Sequence, residues 1–480
     1  MQLMNIDDLP VLSGADRLGH LRELAHERLS LFARFNRECG AIGRIFALRT
    51  PIVIVNAPEL IHGVLIGEAK SFIKPTAVLG PVRPLVGDGL STSDGDLWST
   101  QRKLMAPLFT QAHIEAYADT MVEHAWSEAR ALREGQVVDA LEEMMRITMR
   151  VAGKTLFDAE VRDEADDLTA AITIALCWAD EQIGSIPWAV RLYLASLLQA
   201  LAERVPASMR AHTSTLTEAV VRPIHWPTVK RRRADAALAT IERRIEQMIA
   251  DRRRAGLDRP DLLSLLLATH DEHGDRMSDK QVRDEIVTLF IAGHETTATA
   301  LTWSLYLLGR HPEAHARAQA EARALGDRRP RAADLPSLRY CLQVFKEAMR
   351  LYPPIYLFGR QAANDVRIGD VDLPKGTIVL VSAYALHRRP ELWPDPERFD
   401  PSRFEPQAEH RRHRLAYLPF SAGPRTCIGN HFAMMEGPLV LATILARVDF
   451  ALGTSDPIEP RPFTTLRPWR VPLEVTAVRP

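Results

Sequence analysis

Helical and strand-forming text are divided unevenly along this chain, and that division excludes most fold classes before any motif is considered. From about Met121 to Asp251 the sequence is dense in Ala, Leu, Glu and Arg at helical spacing. In LATIERRIEQMIADRRR, for example, Ile241, Ile245, Met248 and Ile249 line one face. Gly184, Pro187, Pro206, Pro223 and Pro227 cut this half into several helices joined by loops. Strand-like text is confined to RIFALRTPIVIVN (Arg44 to Asn56), DVRIGDVDLPKGTIVLVSAYAL (Asp365 to Leu386) and the terminal RVPLEVTAV. The pattern predicts a mainly α fold with a small β region. Between Pro390 and Pro419 a Pro- and charge-rich stretch has neither period and exceeds ordinary loop lengths, which marks it as functional or as packed by specific contacts.

Composition supports a large folded core. Of 480 residues, 46% are hydrophobic and 25% charged, which excludes disordered, collagenous and coiled-coil chains. Lys plus Arg number 60 against 61 Asp plus Glu, so no whole-chain field exists to hold nucleic acid or an anionic membrane. The KRRR run at Lys230 and the RRHR run at Arg411 read as solvated surface. Cys39, Cys177, Cys341 and Cys427 are too far apart for a disulfide framework or a zinc finger, and a reducing, cytoplasmic setting fits best. Charges and Pro10 break the N-terminal apolar runs, and the most apolar window, Ile286 to Gly293, is followed at once by His294 and Glu295. The expectation is a core helix with no secretory leader and no transmembrane anchor.

Cys427 sits in FSAGPRTCIG, Phe420 to Gly429, where glycines and a proline build a tight turn ahead of the apolar helical run NHFAMMEGPLVLATILA. A sulfur before a helix N-terminus gains from backbone N–H groups and the helix dipole, both of which favour the thiolate. Gly423 and Gly429 would clear space for a flat ligand, so the turn suits a Cys-ligated macrocycle. A lone cysteine is more often a buried structural thiol, but here the neighbours decide. The decapeptide resembles the haem-binding loop of the cytochromes P450, with Phe420, Gly423, Arg425, Cys427 and Gly429 at the defining positions. The resemblance implies haem b held through Cys427 as the axial metal ligand, the thiolate arrangement that favours O–O cleavage.

The spacing predicts a long helix from about Val282 to Gly309 that carries AGHETT, Ala292 to Thr297. Ala292 and Thr296 share a face, a mid-helix Thr bonds the carbonyl four back, and Gly293 would let a ligand or water near the backbone. Glu295, an acid in so apolar a segment and next to a hydroxyl, suggests proton delivery. The segment resembles the P450 oxygen-activation motif at Gly293, Glu295, Thr296 and Thr297, with Ala292 beside the haem. In that family the acid and threonine relay protons during oxygen activation. Members that use peroxide directly or isomerise hydroperoxides typically lack the pair, and a thiolate-haem sensor needs no relay. The resemblance therefore implies O2-dependent monooxygenation.

In KEAMRLYPP, Glu347 and Arg350 are spaced i, i+3 on a helix ended by Pro353 and Pro354. They resemble the family's Glu and Arg pair, and the DPxxFxPxRF spacing places its third member at Arg403 rather than Arg398. Trp98 and Arg102 resemble the family's WxxxR, and with Arg360 and Arg425 they would bind the haem propionates. The family's substrate positions fall near Ser91, Ala292, Ile355, Phe463 and Thr464, plus the region from Ile172 to Pro227. None of these offers a charge for a carboxylate, which favours a neutral terpenoid or steroid over a fatty acid, unless Arg191 or Tyr193 intervenes. The segment after Cys427 reads as a helix plus terminal strands, so no reductase is fused. Electrons would come from NAD(P)H through a separate ferredoxin or flavodoxin and its reductase, docking beside Arg411, Arg412 and Arg414. The expectation is one monomeric domain over residues 1–480.

Overall fold

In the computed structural model of the chain, the apolar run at Ile286 lies inside a helix of 32 residues, Asp279–Arg310. Its start is set by two side chains. Ser278 Oγ accepts the Gln281 N–H at 3.2 Å, and Gln281 Oε1 accepts the Ser278 N–H at 2.9 Å. This reciprocal cap satisfies two amides that have no partner within the helix. At the other end Pro312 opens the helix Pro312–Arg323, which forces a turn at His311. The structure describes residues 4–157, 164–183, 185–204, 216, 220, 228–257, 261–268 and 277–479. Gly184, Pro206, Pro223 and Pro227, with much of the stretch before Pro227, lie outside the described residues.

The helices Ala140–Phe157, Arg339–Leu351 and Asn430–Arg447 pack around this central helix. Val151, Leu301, Trp303, Phe345 and Leu439 form part of their shared core. Each large apolar side chain buried this way contributes about 1.5–3 kcal/mol before conformational entropy is subtracted. A second cluster joins Met105, Leu176, Ile241, Ile245, Ile286 and Phe290, with Trp98, Ile291 and Ile428 at its edge. It brings the helix Gly95–Met105, the middle of the central helix and the residue after Cys427 onto one apolar body. Thr228 caps the helix Val229–Ala255, whose Ile241, Ile245 and Ile249 are buried as their spacing predicts, with Met248 packed at the margin.

The five-stranded sheet runs in the order Ile42–Ala47, Thr50–Val55, Ile378–Ser382, Leu357–Ala362, Phe72–Ile73. Within this sheet the one parallel pair is Thr50–Val55 with Ile378–Ser382, with Val53 opposite Val379. A second, antiparallel sheet joins Val448–Leu452, Pro472–Val478 and Val137–Asp139. Val137–Asp139 interrupts the half expected to be helical, because pairing with Pro472, Leu473 and Glu474 overrides local preference. Leu357–Ala362 also went unread, since it lacks alternation and is shaped by partners on both sides. Ala383–Leu386, expected as strand, is a helical turn capped by Ser382 Oγ, which accepts the Ala385 N–H at 3.2 Å. Among the described residues no helix is long and apolar enough to cross a membrane.

Candidate functional site

The cysteine turn is fastened by its own backbone. The Cys427 N–H donates to the Phe420 carbonyl at 3.0 Å, and the Thr426 N–H donates to the Gly423 carbonyl at 3.0 Å. Gly423 has φ +74°, and a Cβ there would lie 1.9 Å from the Leu65 carbonyl oxygen. Its role is to seat the turn against the helical segment Gly63–Gly67, not to clear a ligand. Gly429, in contrast, faces open space. The helix Asn430–Arg447 starts directly after it. Burial pushes the Cys427 thiol up, opposed by the Gly429 N–H and by Arg102. The residue lies deep in the fold, yet it is the exposed one of four free cysteines, because its side chain borders open space.

On the central helix, Thr296 Oγ1 donates to the Ala292 carbonyl at 2.7 Å, the back-bond that the spacing predicts. Ala292 is exposed although Leu289, Phe290, Ala298 and Ala300 are buried, so one face of the middle turns is left open. Gly293 points elsewhere. A Cβ on it would make ordinary contact with Ala152 and Leu156, at 3.7 and 3.8 Å, so it faces the helix Ala140–Phe157 and not a ligand. Glu295 is buried and also turns away from Ala292. Its Oε1 accepts the Thr465 hydroxyl at 2.8 Å and lies 3.8 Å from Arg467 Nη1, while Oε2 has no partner.

Cationic side chains converge from separate elements. Arg425 pairs with Asp94 at 2.5 Å, donates to the Phe72 carbonyl at 3.2 Å and lies 5.3 Å from the Trp98 ring. Its Nη1 is buried without a partner. Arg360 donates to the Gly359 carbonyl at 2.8 Å, and burial together with Arg425 pushes it down to about 10. Lys74, which the sequence reading missed, donates to the Leu90 and Ser93 carbonyls at 2.7 and 2.8 Å. Burial pushes it down to about 7 despite Asp94. Arg102, also lowered by burial, has Cys427 as its charge neighbour. Asp94 is the sole carboxylate in an ion pair with this group among the described residues. The surplus of positive charge and the orphaned Arg425 nitrogen fit a dianionic ligand, and the open faces at Cys427, Gly429 and Ala292 fit a flat one. Haem, with two propionates, meets both conditions.

The remaining positions divide. Phe463 and Thr464 line a cavity with Glu295, Cys177 and Arg467, which sets charged side chains beside two of the uncharged positions named from sequence. Ser91 Oγ is 3.5 Å from Thr288 Oγ1, one helical turn before Ala292. Ile355 packs at the margin of the sheet core with Val53 and Val381. Arg191 and Tyr193 are half-buried on Ile186–Arg204 and do not line that cavity.

Beneath the turn, Arg350 and Glu347 are fully buried and joined by hydrogen bonds of 2.6 and 2.7 Å. Arg350 also donates to the carbonyls of His387, Pro396 and Arg398 at 3.0, 2.6 and 3.1 Å. Glu347 accepts the Asp400 N–H at 2.9 Å and lies 3.6 Å from Arg403 Nε, whereas Arg398 contributes its carbonyl alone to Arg350. This network folds the aperiodic stretch from Pro390 to Pro419. Arg412 belongs to it as well. It donates to the Arg403 carbonyl and stacks on Trp393 at 4.0 Å, which leaves Arg411 and Arg414 as the exposed members of the basic run. Glu436, nine residues after Cys427 and also missed, is fully buried. Burial pushes it up to about 8, and its polar neighbour on the central helix is Thr297, without a hydrogen bond of ordinary geometry.

Comparison with known proteins agrees with this geometry. The profile described as Cytochrome P450 matches residues 10–469. Cyclooctatin synthase of Streptomyces melanosporofaciens is 35% identical, covering 94% of this chain and 92% of the relative. Cyclooctat-9-en-7-ol 5-monooxygenase of the same organism is 37% identical over 81% of this chain and 78% of its own. The crystal structure of the cytochrome P450DA heme domain superposes with a TM-score of 0.83 at 27% identity, covering 100% and 99% of the two chains.

Proposed function

The chain belongs to the cytochrome P450 family, and from that premise we propose that it is a haem-thiolate monooxygenase that inserts one atom of O2 into a polycyclic terpenoid. The observation that carries this reading is the gathering of Arg360, Arg425 and Lys74 in a group whose one ion-paired carboxylate among the described residues is Asp94, beside an exposed cysteine. Bound through the Cys427 thiolate, haem supplies the one-electron and dioxygen chemistry that no side chain here has. Trp98, Arg102, Arg360 and Arg425 would hold its propionates, with Phe420 and Gly429 shaping the cysteine turn and Ala292 leaving an open helix face. Thr296, fixed by its bond to the Ala292 carbonyl, presents its oxygen to the open face and passes protons there. Glu295 is the acid of that relay when its side chain turns from Thr465 toward Thr296.

The terpenoid assignment follows the uncharged substrate positions, and the oxygenase reading is supported by a relative named as a monooxygenase of cyclooctat-9-en-7-ol. Electrons come from NAD(P)H through a separate ferredoxin or flavodoxin and its reductase, docking against Arg411 and Arg414. The free cysteines suit a reducing, cytoplasmic setting, and 60 Lys plus Arg against 61 Asp plus Glu leave no field for a nucleic-acid partner. Turnover of a terpene with a surrogate ferredoxin and its reductase under labelled dioxygen tests the reaction. One labelled oxygen per product is expected. Label from water, or turnover with peroxide and never with the reductase, would overturn it.

A further inference from the structure

The cavity beside Glu295 is closed by the hairpin of Arg461–Pro462 with Leu466–Arg467 and by the helix Glu164–Ile183. Met145, Leu176 and Phe463 give it apolar walls, yet two ionic side chains meet inside it. The hairpin is fixed, because Trp303 Nε1 donates to the Leu466 carbonyl at 2.8 Å and the Arg467 guanidinium lies 5.1 Å from the Phe463 ring centre. Even so, Arg467 is poorly satisfied. Its single hydrogen bond among the described residues runs from Nη2 to the Cys177 sulfur at 3.6 Å, and a thiol is a weak acceptor. Its Nη1 is 3.8 Å from Glu295 Oε1, beyond hydrogen-bond distance. Glu295 is 4% exposed, and its Oε2 has no partner at all.

A guanidinium only donates and a carboxylate only accepts, so the cavity presents free donors next to a free acceptor. Few ligand groups satisfy both. A carboxylate would suit Arg467 but be repelled by Glu295, and an ammonium would do the reverse. A carbonyl would leave Oε2 bare, and a hydrocarbon would strand both groups away from water. A hydroxyl donates to one and accepts from the other. Resting on the monooxygenase reading above, we infer that the substrate already carries a hydroxyl group, which docks between Arg467 and Glu295 Oε2 and is separate from the carbon that is oxidised. Arg467 is then a specificity residue. The reaction that supplies the substrate is an earlier oxygenation, or a cyclisation terminated by water, and this enzyme adds a further oxygen.

The test is a spin-state titration of the ferric holoprotein with matched terpenes of one ring skeleton, as hydrocarbon, monoalcohol and carboxylic acid. The alcohol is expected to bind about tenfold or more tighter than the hydrocarbon, as a hydrogen bond to a charged group allows, and tighter than the acid. In Arg467→Met the alcohol and hydrocarbon should come within about twofold, while Arg467→Gln, which keeps neutral donors, retains part of the preference. Equal binding of hydrocarbon and alcohol to the wild type would mean that the cavity holds water alone and would overturn the inference. So would a preference that survives in both variants, or a panel in which no alcohol shifts the spin state. The reduced carbonyl spectrum separates this failure from a larger one. With the thiolate band present only the hydroxyl inference fails, and with it absent the monooxygenase reading fails first.

Discussion

Glu347→Ala would strand the Arg350 guanidinium, which is fully buried and donates two of its hydrogen bonds to that carboxylate. Removing one member of a buried ion pair costs about 3–5 kcal/mol. The three carbonyls that Arg350 also binds are neutral, so they keep its hydrogens occupied without replacing the counter-charge. Loss of the acceptor for the Asp400 N–H adds about 1 kcal/mol. The total, about 4–6 kcal/mol, is a large part of a typical stability of about 5–15 kcal/mol. Arg403 is a weaker partner at 3.6 Å, and Arg403→Ala should cost about 1 kcal/mol. Arg398→Ala should cost less than about 0.5 kcal/mol, because Arg350 uses only the Arg398 carbonyl, which the substitution retains. Urea unfolding of the ferric holoproteins, followed by circular dichroism and by haem retention, orders the three variants. If Glu347→Ala loses no more than Arg403→Ala, the reasoning about a stranded buried charge is refuted.

Thr296→Ala should keep haem and substrate but divert reducing equivalents into peroxide or water. An unchanged ratio of product formed to NAD(P)H consumed would sink the proton role. Arg411→Glu with Arg414→Glu should slow the first electron transfer at low salt and spare peroxide-supported turnover, with the difference fading as the Debye length shrinks. Arg412→Ala should instead cost stability, because that side chain stacks on Trp393 and Phe404. Equal transfer rates for wild type and the double variant across a salt series would eliminate the docking patch. Glu436 is held near 8 when folded against 4.5 for a free carboxyl, so its contribution is full below about 4.5 and is lost as the pH rises through about 8. Glu436→Gln should therefore flatten the fall in urea midpoint over that window, and an unchanged slope would contradict the assignment.

The features legible in the sequence were those written within a few residues of one another. The cysteine turn, the Ala292 to Thr296 back-bond and the Glu347 to Arg350 pair all depend on local spacing, and the geometry has them in place. What escaped is made by distant segments. Thr465 reaches Glu295 across 170 positions, and Val137–Asp139 becomes a strand only because Pro472–Val478 is beside it. Lys74 and Asp94 join the Arg425 group without any motif of their own. Arg412 read as surface because its aromatic cover, Trp393, precedes it by nineteen residues and Phe404 by eight. Gly423 read as ligand clearance because nothing in the turn announces the Leu65 carbonyl behind it.

The central claim is that Cys427 ligates haem as a thiolate, and the spectrum of the reduced carbonyl complex tests it most directly. The wild type, and a variant with Cys39, Cys177 and Cys341 all changed to serine, should both show the strongly red-shifted Soret band of thiolate ligation, and Cys427→Ser should lose it. A band that persists in Cys427→Ser, or that disappears when one of the other three cysteines is replaced, would contradict the account.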